Sequence, residues 1–245
     1  MQPILISIIT INYNNFCGLK NTMESVKSLK FSDYEYVIID GNSNDNSRDL
    51  IAKSDIVDKY LIEPDAGIYD AMNKGAKLAS GKYLFFLNSG DIVLPHVFSK
   101  LYGINHIFDY DVIYGSTKSI SSDKIDLSRK IDVIFYDIPF CHQSVLLKRD
   151  VFMFYEFNKK YKLAADYELF LKIYLAGYSF YQTNIFFSKI DTTGLSHTKQ
   201  IDVVLEYIHI IFDVHKFKKA VYVFFIFITR KFRFIVKLLL KKFLK

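Results

Sequence analysis

The chain has 245 residues, 51% apolar and 24% charged, which is enough to bury a core and excludes a disordered polymer. Its net charge of +6 is unevenly placed: ten of the 32 Lys and Arg fall between Val214 and Lys245, a stretch without an acid, leaving 22 bases against 26 acids in the body. The body is therefore acidic, which argues against a nucleic-acid surface, and no nucleic-acid partner is expected. Cys17 and Cys141 stand far apart with no CxxC spacing, so neither a disulfide framework nor a zinc site is expected and a reducing compartment is the default.

The first residues lack a basic leader and a small-residue cleavage site, and read as the approach to a strand rather than a signal peptide. Residues 4–11 are an apolar, β-branched run that predicts a strand, followed by the polar turn Asn12–Asn15 and a helical pattern over Gly18–Leu29. Tyr34–Asp40 predicts a second strand ending in a loop crowded with helix-capping residues, 41–47, before a short helix over Arg48–Ala52. Lys59–Ile62 predicts a third strand, Ile68–Ala79 a helix, and Lys82–Leu87 a fourth strand that runs into Asn88-Ser-Gly-Asp91. Strands alternating with helices at this spacing predict an α/β fold with a mostly parallel sheet flanked by helices. Asp111–Gly115 and Ile131–Tyr136 are read as further strands, and helices are expected over Lys148–Phe154 and Ala165–Ala176, the latter closed by Gly177.

Three constellations could carry chemistry. Strand one ends neither in GxGxxG nor in a GxxxxGK[ST] phosphate loop. The first two strand ends offer instead Thr10, Tyr13 and Asp40: a ring to stack on a base and a carboxylate to accept an imide N–H. Asp91 would stand at the carboxyl edge of the sheet, where ligands bind in open α/β folds. It is a hard oxygen ligand suited to Mg²⁺ or Mn²⁺, which bind through one or two carboxylates plus substrate phosphates. In Ala165-Asp-Tyr-Glu168, Asp166 shares a face with Leu169, Phe170 and Ile173 and looks inward at a helix N-terminus, as a general base requires. Glu168 is four residues before Lys172, the order of an exposed helical ion pair.

Together these motifs resemble glycosyltransferase family 2, on the fold called GT-A. Ser7–Asn15 is similar to the family's opening strand and turn, and Val37–Asp45 to its second strand and acidic loop. Gly67–Gly75 with Ser80–Asp91 resembles a subgroup that makes bacterial surface polysaccharides. The resemblance covers about residues 4–200 and implies a GT-A domain over 1–213. It also implies a nucleotide-sugar donor of UDP or dTDP type, a saccharide acceptor and an inverting, metal-assisted displacement. Carried over by position, Thr10, Tyr13, Asp40, Asn73 and Asn88 would contact the nucleotide sugar. Asp91, joined by His197 from a closing loop, would hold Mn²⁺ or Mg²⁺, and Asp166 would be the catalytic base. Two departures stand out: Asn88-Ser-Gly-Asp91 keeps one carboxylate of the usual Asp-x-Asp, and Ala165 replaces the Glu before the base. Cys141-His-Gln143 resembles an acceptor-side segment or a buried histidine.

The tail, 214–245, combines the apolar run Ala220–Thr229 with Arg230–Lys245, where cations are mixed with Phe, Leu and Ile. Ten apolar residues are too few to span a bilayer, which needs ~20. A basic amphipathic C-terminal helix on an anionic membrane surface is expected instead, with the enzyme cytoplasmic, peripheral on the inner face of the cell membrane, and a lipid-linked acceptor. A sugar-phosphate nucleotidyltransferase would need a Gly-rich basic loop that Asn12–Asn15 does not supply. A catalytically degenerate sugar-nucleotide-binding or scaffold subunit is the alternative outside catalysis.

Overall fold

The computed structural model describes residues 4–122, 124–191, 199–215 and 221–229. Its first half follows the alternating pattern: β1 (Ile6–Asn12), α1 (Phe16–Lys27), β2 (Tyr34–Asp40), α2 (Ser47–Ala52), β3 (Lys59–Ile62), α3 (Ile68–Leu78) and β4 (Tyr83–Phe86). The four strands pair in parallel in the order β3-β2-β1-β4. They are apolar on both faces because both faces are covered. Ile6 and Ile8 bury against Leu19, Met23 and Val26 of α1, whereas Ile9 buries against Met72 and Ala76 of α3. All four residues of β4 are buried, and each such aromatic or leucine contributes about 1.5–3 kcal/mol of transfer free energy. The carboxyl ends of β1, β2 and β4 consequently share one edge.

The second half contains β5 (Ile92–Val93), α4 (Val97–Tyr102), β6 (Val112–Ser119), β7 (Ile125–Asp126), β8 (Val145–Lys148), α5 (Arg149–Tyr155), α6 (Ala165–Leu175), β9 (Phe180–Ile190) and α7 (Gln200–Val214). These extend the sheet to β3-β2-β1-β4-β8-β6-β9-β5, with β7 on β6. Here every pairing but β6–β9 is antiparallel, so the sheet is parallel in its first half and mixed beyond it. Gly177 ends α6 at φ +86 as expected. The strand read over Ile131–Tyr136 is instead a 3₁₀ turn, Ile131–Phe135, closed by Val133 N to Lys130 O and Tyr136 N to Val133 O. Its apolar positions follow a helical rather than an alternating period, with Ile134 in the core and Ile131 and Phe135 against it. Four strands, β5, β7, β8 and β9, fall where the sequence reading placed none, although β9 carries the aromatic and β-branched composition of a strand.

Residues 221–229 form a further helix, α8. Tyr207 of α7 stacks on Tyr167 with ring centroids 4.1 Å apart, and Val223 and Phe227 of α8 are buried in the same core. The core thus continues past residue 213. Among the described residues no helix is long and apolar enough to cross a membrane.

Candidate active site

The turn after β4 is built into the fold by α1. Thr22 Oγ1 donates to Asp91 O at 2.7 Å and accepts from Gly90 N at 2.9 Å, while Ser25 Oγ accepts from Val93 N at 3.1 Å. Gly90 takes φ +104, which a side chain rarely adopts. The turn thereby points Asp91 into a cavity of about 460 Å³ at the sheet edge. Asp91 is 3% exposed; its Oδ1 accepts from Asp191 N at 2.9 Å and its Oδ2 from Gln143 Nε2 at 3.1 Å. Burial pushes this carboxyl up to about 6, against the pull of those two donors and of His142, and with a push from nearby Asp191.

Asp166, in the first turn of α6, lines the same cavity. Its Oδ1 accepts from the Tyr69 hydroxyl at 3.2 Å and from Tyr167 N at 2.9 Å. Its Oδ2 lies 3.5 Å from His142 Nδ1. His142 Nε2 in turn lies 3.1 Å from Asn88 Nδ2. With the amide donating there, the imidazole proton sits on Nδ1 and faces the carboxylate. A chain of polar contacts therefore runs from the β4 turn through His142 to Asp166 and on to Tyr69. The loop leading into α6 is clamped from α7, since Glu206 accepts from the backbone N–H groups of Lys162, Leu163 and Ala164 at 2.8, 2.9 and 2.9 Å.

The remaining expected residues divide. Asn88 lines the cavity, and its Oδ1 is buried without a partner among the described residues. Tyr13 is 66% exposed beside Gly41, free to stack on a planar group. The side chains of Thr10, Asp40 and Asn73 are engaged within the fold. Thr10 is fully buried and accepts from the Tyr36 hydroxyl at 3.0 Å. Asp40, also fully buried, closes the strand-two turn through Ser43 N, Ser43 Oγ and Asn12 Nδ2. Asn73 exchanges two 2.9 Å hydrogen bonds with the backbone of Phe157, tying α3 to the segment after α5. Glu168 does pair with Lys172, but as a buried carboxylate that also accepts from Asn158 rather than an exposed one. His197 lies outside the described residues.

The structure adds residues that the sequence did not single out. Asp191, at the end of β9, lines the cavity beside Asp91. Tyr69 meets Asp166, and Asp65 converges with Tyr13 on Gly41, where an added Cβ would lie 2.6 Å from Asp65 Oδ2 and 3.1 Å from the tyrosine ring. Asp65 Oδ1 holds Gly67 N, which leaves Oδ2 without a partner among the described residues. A signal for Asp191 existed in an acid ending a long aromatic strand, but it requires that strand to be recognised first. Among the described residues no three His, Cys, Asp or Glu side chains converge as a metal cage. Asp91, Asp191 and the unpartnered Asn88 oxygen are hard donors that fit a divalent cation only when substrate phosphates complete its shell.

A mixed α/β sheet with this acidic cavity at its carboxyl edge defines a GT-A-type framework. The family model Glycosyl transferase family 2 matches residues 7–191, and the chain belongs to that family. It is 27% identical over 186 residues to a PGL/p-HBAD biosynthesis glycosyltransferase of Mycobacterium bovis, covering 71% of each chain. Among solved structures it resembles S. aureus TarS in complex with UDP-GlcNAc, with a TM-score of 0.74 at 16% identity, covering 94% of this chain and 73% of that one. It also resembles the mannosyltransferase PcManGT of Pyrobaculum calidifontis in complex with GDP-Man and Mn²⁺, with a TM-score of 0.63 at 13% identity, covering 87% and 64%.

Proposed function

We propose that the chain transfers a sugar from a UDP- or dTDP-type nucleotide sugar to a hydroxyl of a lipid-linked saccharide, with inversion, in bacterial surface-polysaccharide synthesis. The observation that carries this reading is Asp166, held in the first turn of a helix and lining one cavity with Asp91 and Asp191. Asp166 takes the proton of the acceptor hydroxyl as that oxygen bonds to the anomeric carbon. The bond from that carbon to the diphosphate oxygen breaks on the opposite face, and the configuration inverts. Tyr69 and His142 fix the direction of the carboxylate.

At the other end the base stacks on Tyr13 while Asp65 accepts its imide N–H, and Asn88 contacts the sugar. The UDP-GlcNAc complex of TarS supports a nucleotide sugar as the donor class. Mn²⁺ or Mg²⁺ would be held by Asp91, Asp191 and the donor's diphosphate, a reading supported by the Mn²⁺ complex of PcManGT. When bound, such an ion supplies charge neutralisation for the departing diphosphate. The ten tail cations support a peripheral position on the inner face of the cell membrane. So do the exposed aromatics Phe212, Tyr222 and Phe225, of which Phe212 and Phe225 both meet Phe224.

The test is Asp166→Asn. Transfer falls by about 10²–10⁴-fold, the usual contribution of a general base, while UDP affinity measured by calorimetry is kept. Unchanged transfer removes Asp166 from the role of base. UDP binding by the unaltered chain without any transfer or donor hydrolysis identifies a binding subunit instead.

A further inference from the structure

The cavity has a second half that the transfer chemistry leaves unused. Besides Asp166, which meets Tyr69, its lining includes the apolar Ile68, Ile138, Leu163, Val203 and Tyr207, with the exposed Lys162 at the rim. Val203 and Tyr207 come from α7, which starts at Gln200, beyond the family-matched segment 7–191. The donor side is thus built from the part of the chain shared with the family, and this wall is partly built from outside it. The position of α7 is fixed to the site twice over: Glu206 clamps the three N–H groups that precede α6, and Tyr207 stacks on Tyr167, the neighbour of the base.

The charges are sorted along the cavity. Asp91 and Asp191 are joined by a hydrogen bond from the Asp191 N–H, whereas Asp166 meets His142 and Tyr69. Lys159 and Lys160 are ion-paired with Asp70 and Asp213, but Lys162 is exposed and in no ion pair among the described residues. An anionic group is repelled by the carboxylate end and attracted at this rim. A free saccharide would leave the apolar wall in water, whereas an alkyl chain would cover it.

We propose that this wall is the aglycone subsite of the acceptor. It receives the first carbons of an apolar chain joined to the acceptor saccharide through a phosphate, with Val203 and Tyr207 against the chain and Lys162 against the phosphate. The assignment rests on the transfer reading of the cavity, since it takes the side of Asp166 away from Asp91 as the acceptor side.

The test is calorimetric titration of the full chain with geranyl phosphate, geraniol and inorganic phosphate. Geranyl phosphate is expected to bind about tenfold or more tighter than either fragment. Val203→Asp and the isosteric Val203→Thr should weaken it, the former by about tenfold, the scale of one buried valine side chain. Lys162→Ala should weaken geranyl phosphate but not geraniol, and UDP affinity should be unchanged in all three variants. Equal affinity of the unaltered chain and both Val203 variants for geranyl phosphate overturns the proposal and assigns that binding to another surface, the basic tail included. Inorganic phosphate binding as tightly as geranyl phosphate overturns it as well. An Asp166→Asn chain with full transfer would refute the catalytic reading without altering these binding contrasts, so the two failures are distinguishable.

Discussion

Asp91 sits where its own charge is disfavoured. Burial raises its carboxyl to about 6, and relative to the usual carboxylate range this corresponds to roughly 2–3 kcal/mol of disfavoured ionisation. Between about pH 4 and 6 the folded chain holds a proton that the unfolded chain has released, so this group makes the fold more stable as pH falls through that window. Asp91→Asn removes the titration. The variant should be more stable than the unaltered chain at pH 7.5, by about 1–2 kcal/mol because the amide must still suit two donors, Gln143 and Asp191 N. Denaturant unfolding at pH 7.5 and pH 4 checks it: the advantage should shrink toward zero at the lower pH, and a constant difference would show a packing effect instead. At single residues the sequence was legible in the position of two carboxylates, since Asp91 and Asp166 line the same cavity. At Thr10, Asp40 and Asn73 it did not show that groups able to bind a nucleotide also tie strand ends and loops together. Asp65 and Asp191 were missed because a lone acid in a loop carries no pattern until the chain brings it to a site.

The elements of the first half were readable because each strand there is a continuous apolar run punctuated by capping residues, and their amino ends are fastened by a single buried carboxylate. Glu35 on β2 accepts from Ser7 Oγ of β1 at 2.6 Å and from Gly81 N ahead of β4 at 3.1 Å, and pairs with Lys59 of β3 at 2.7 Å. Burial opposes its charge, but Lys59, Ser7 and Ser80 outweigh burial and bring the carboxyl down to about 2. A depressed carboxyl stabilises the fold above its unfolded value near 4 and loses that contribution as pH falls toward 2. Glu35→Gln should therefore cost about 2–3 kcal/mol at pH 7, with the deficit closing between about pH 4 and 2 in urea titrations. UDP affinity should hold, since this staple lies at the sheet edge opposite the cavity. No comparable regularity marked the second half. There β8 is four residues long and pairs with β4 and β6, contacts set by the fold rather than by local pattern.

For the whole molecule, the tail has two parts that a single boundary at residue 213 would confuse. Val223 and Phe227 of α8 are buried in the core, and Phe227 packs against the Tyr207 ring with centroids 6.3 Å apart. A chain ending at Asp213 should lose these contacts, worth a few kcal/mol as a pair of buried apolar side chains, and unfold at lower temperature. Loss of membrane binding by that chain would say nothing about the cations themselves. A chain ending at Thr229 separates the effects, because it keeps α8 while removing seven of the ten tail cations, Arg230 to Lys245. Each cation near an anionic surface is worth about 1 kcal/mol, an attraction that salt screens. Flotation with vesicles rich in anionic lipid should therefore recover the full chain at low salt and much less of the chain ending at Thr229. Both chains should show the same melting temperature and UDP affinity, and neither should float with neutral vesicles to the same extent. Undiminished flotation of the shortened chain would transfer the membrane contact to the exposed aromatics Phe212, Tyr222 and Phe225, which it retains.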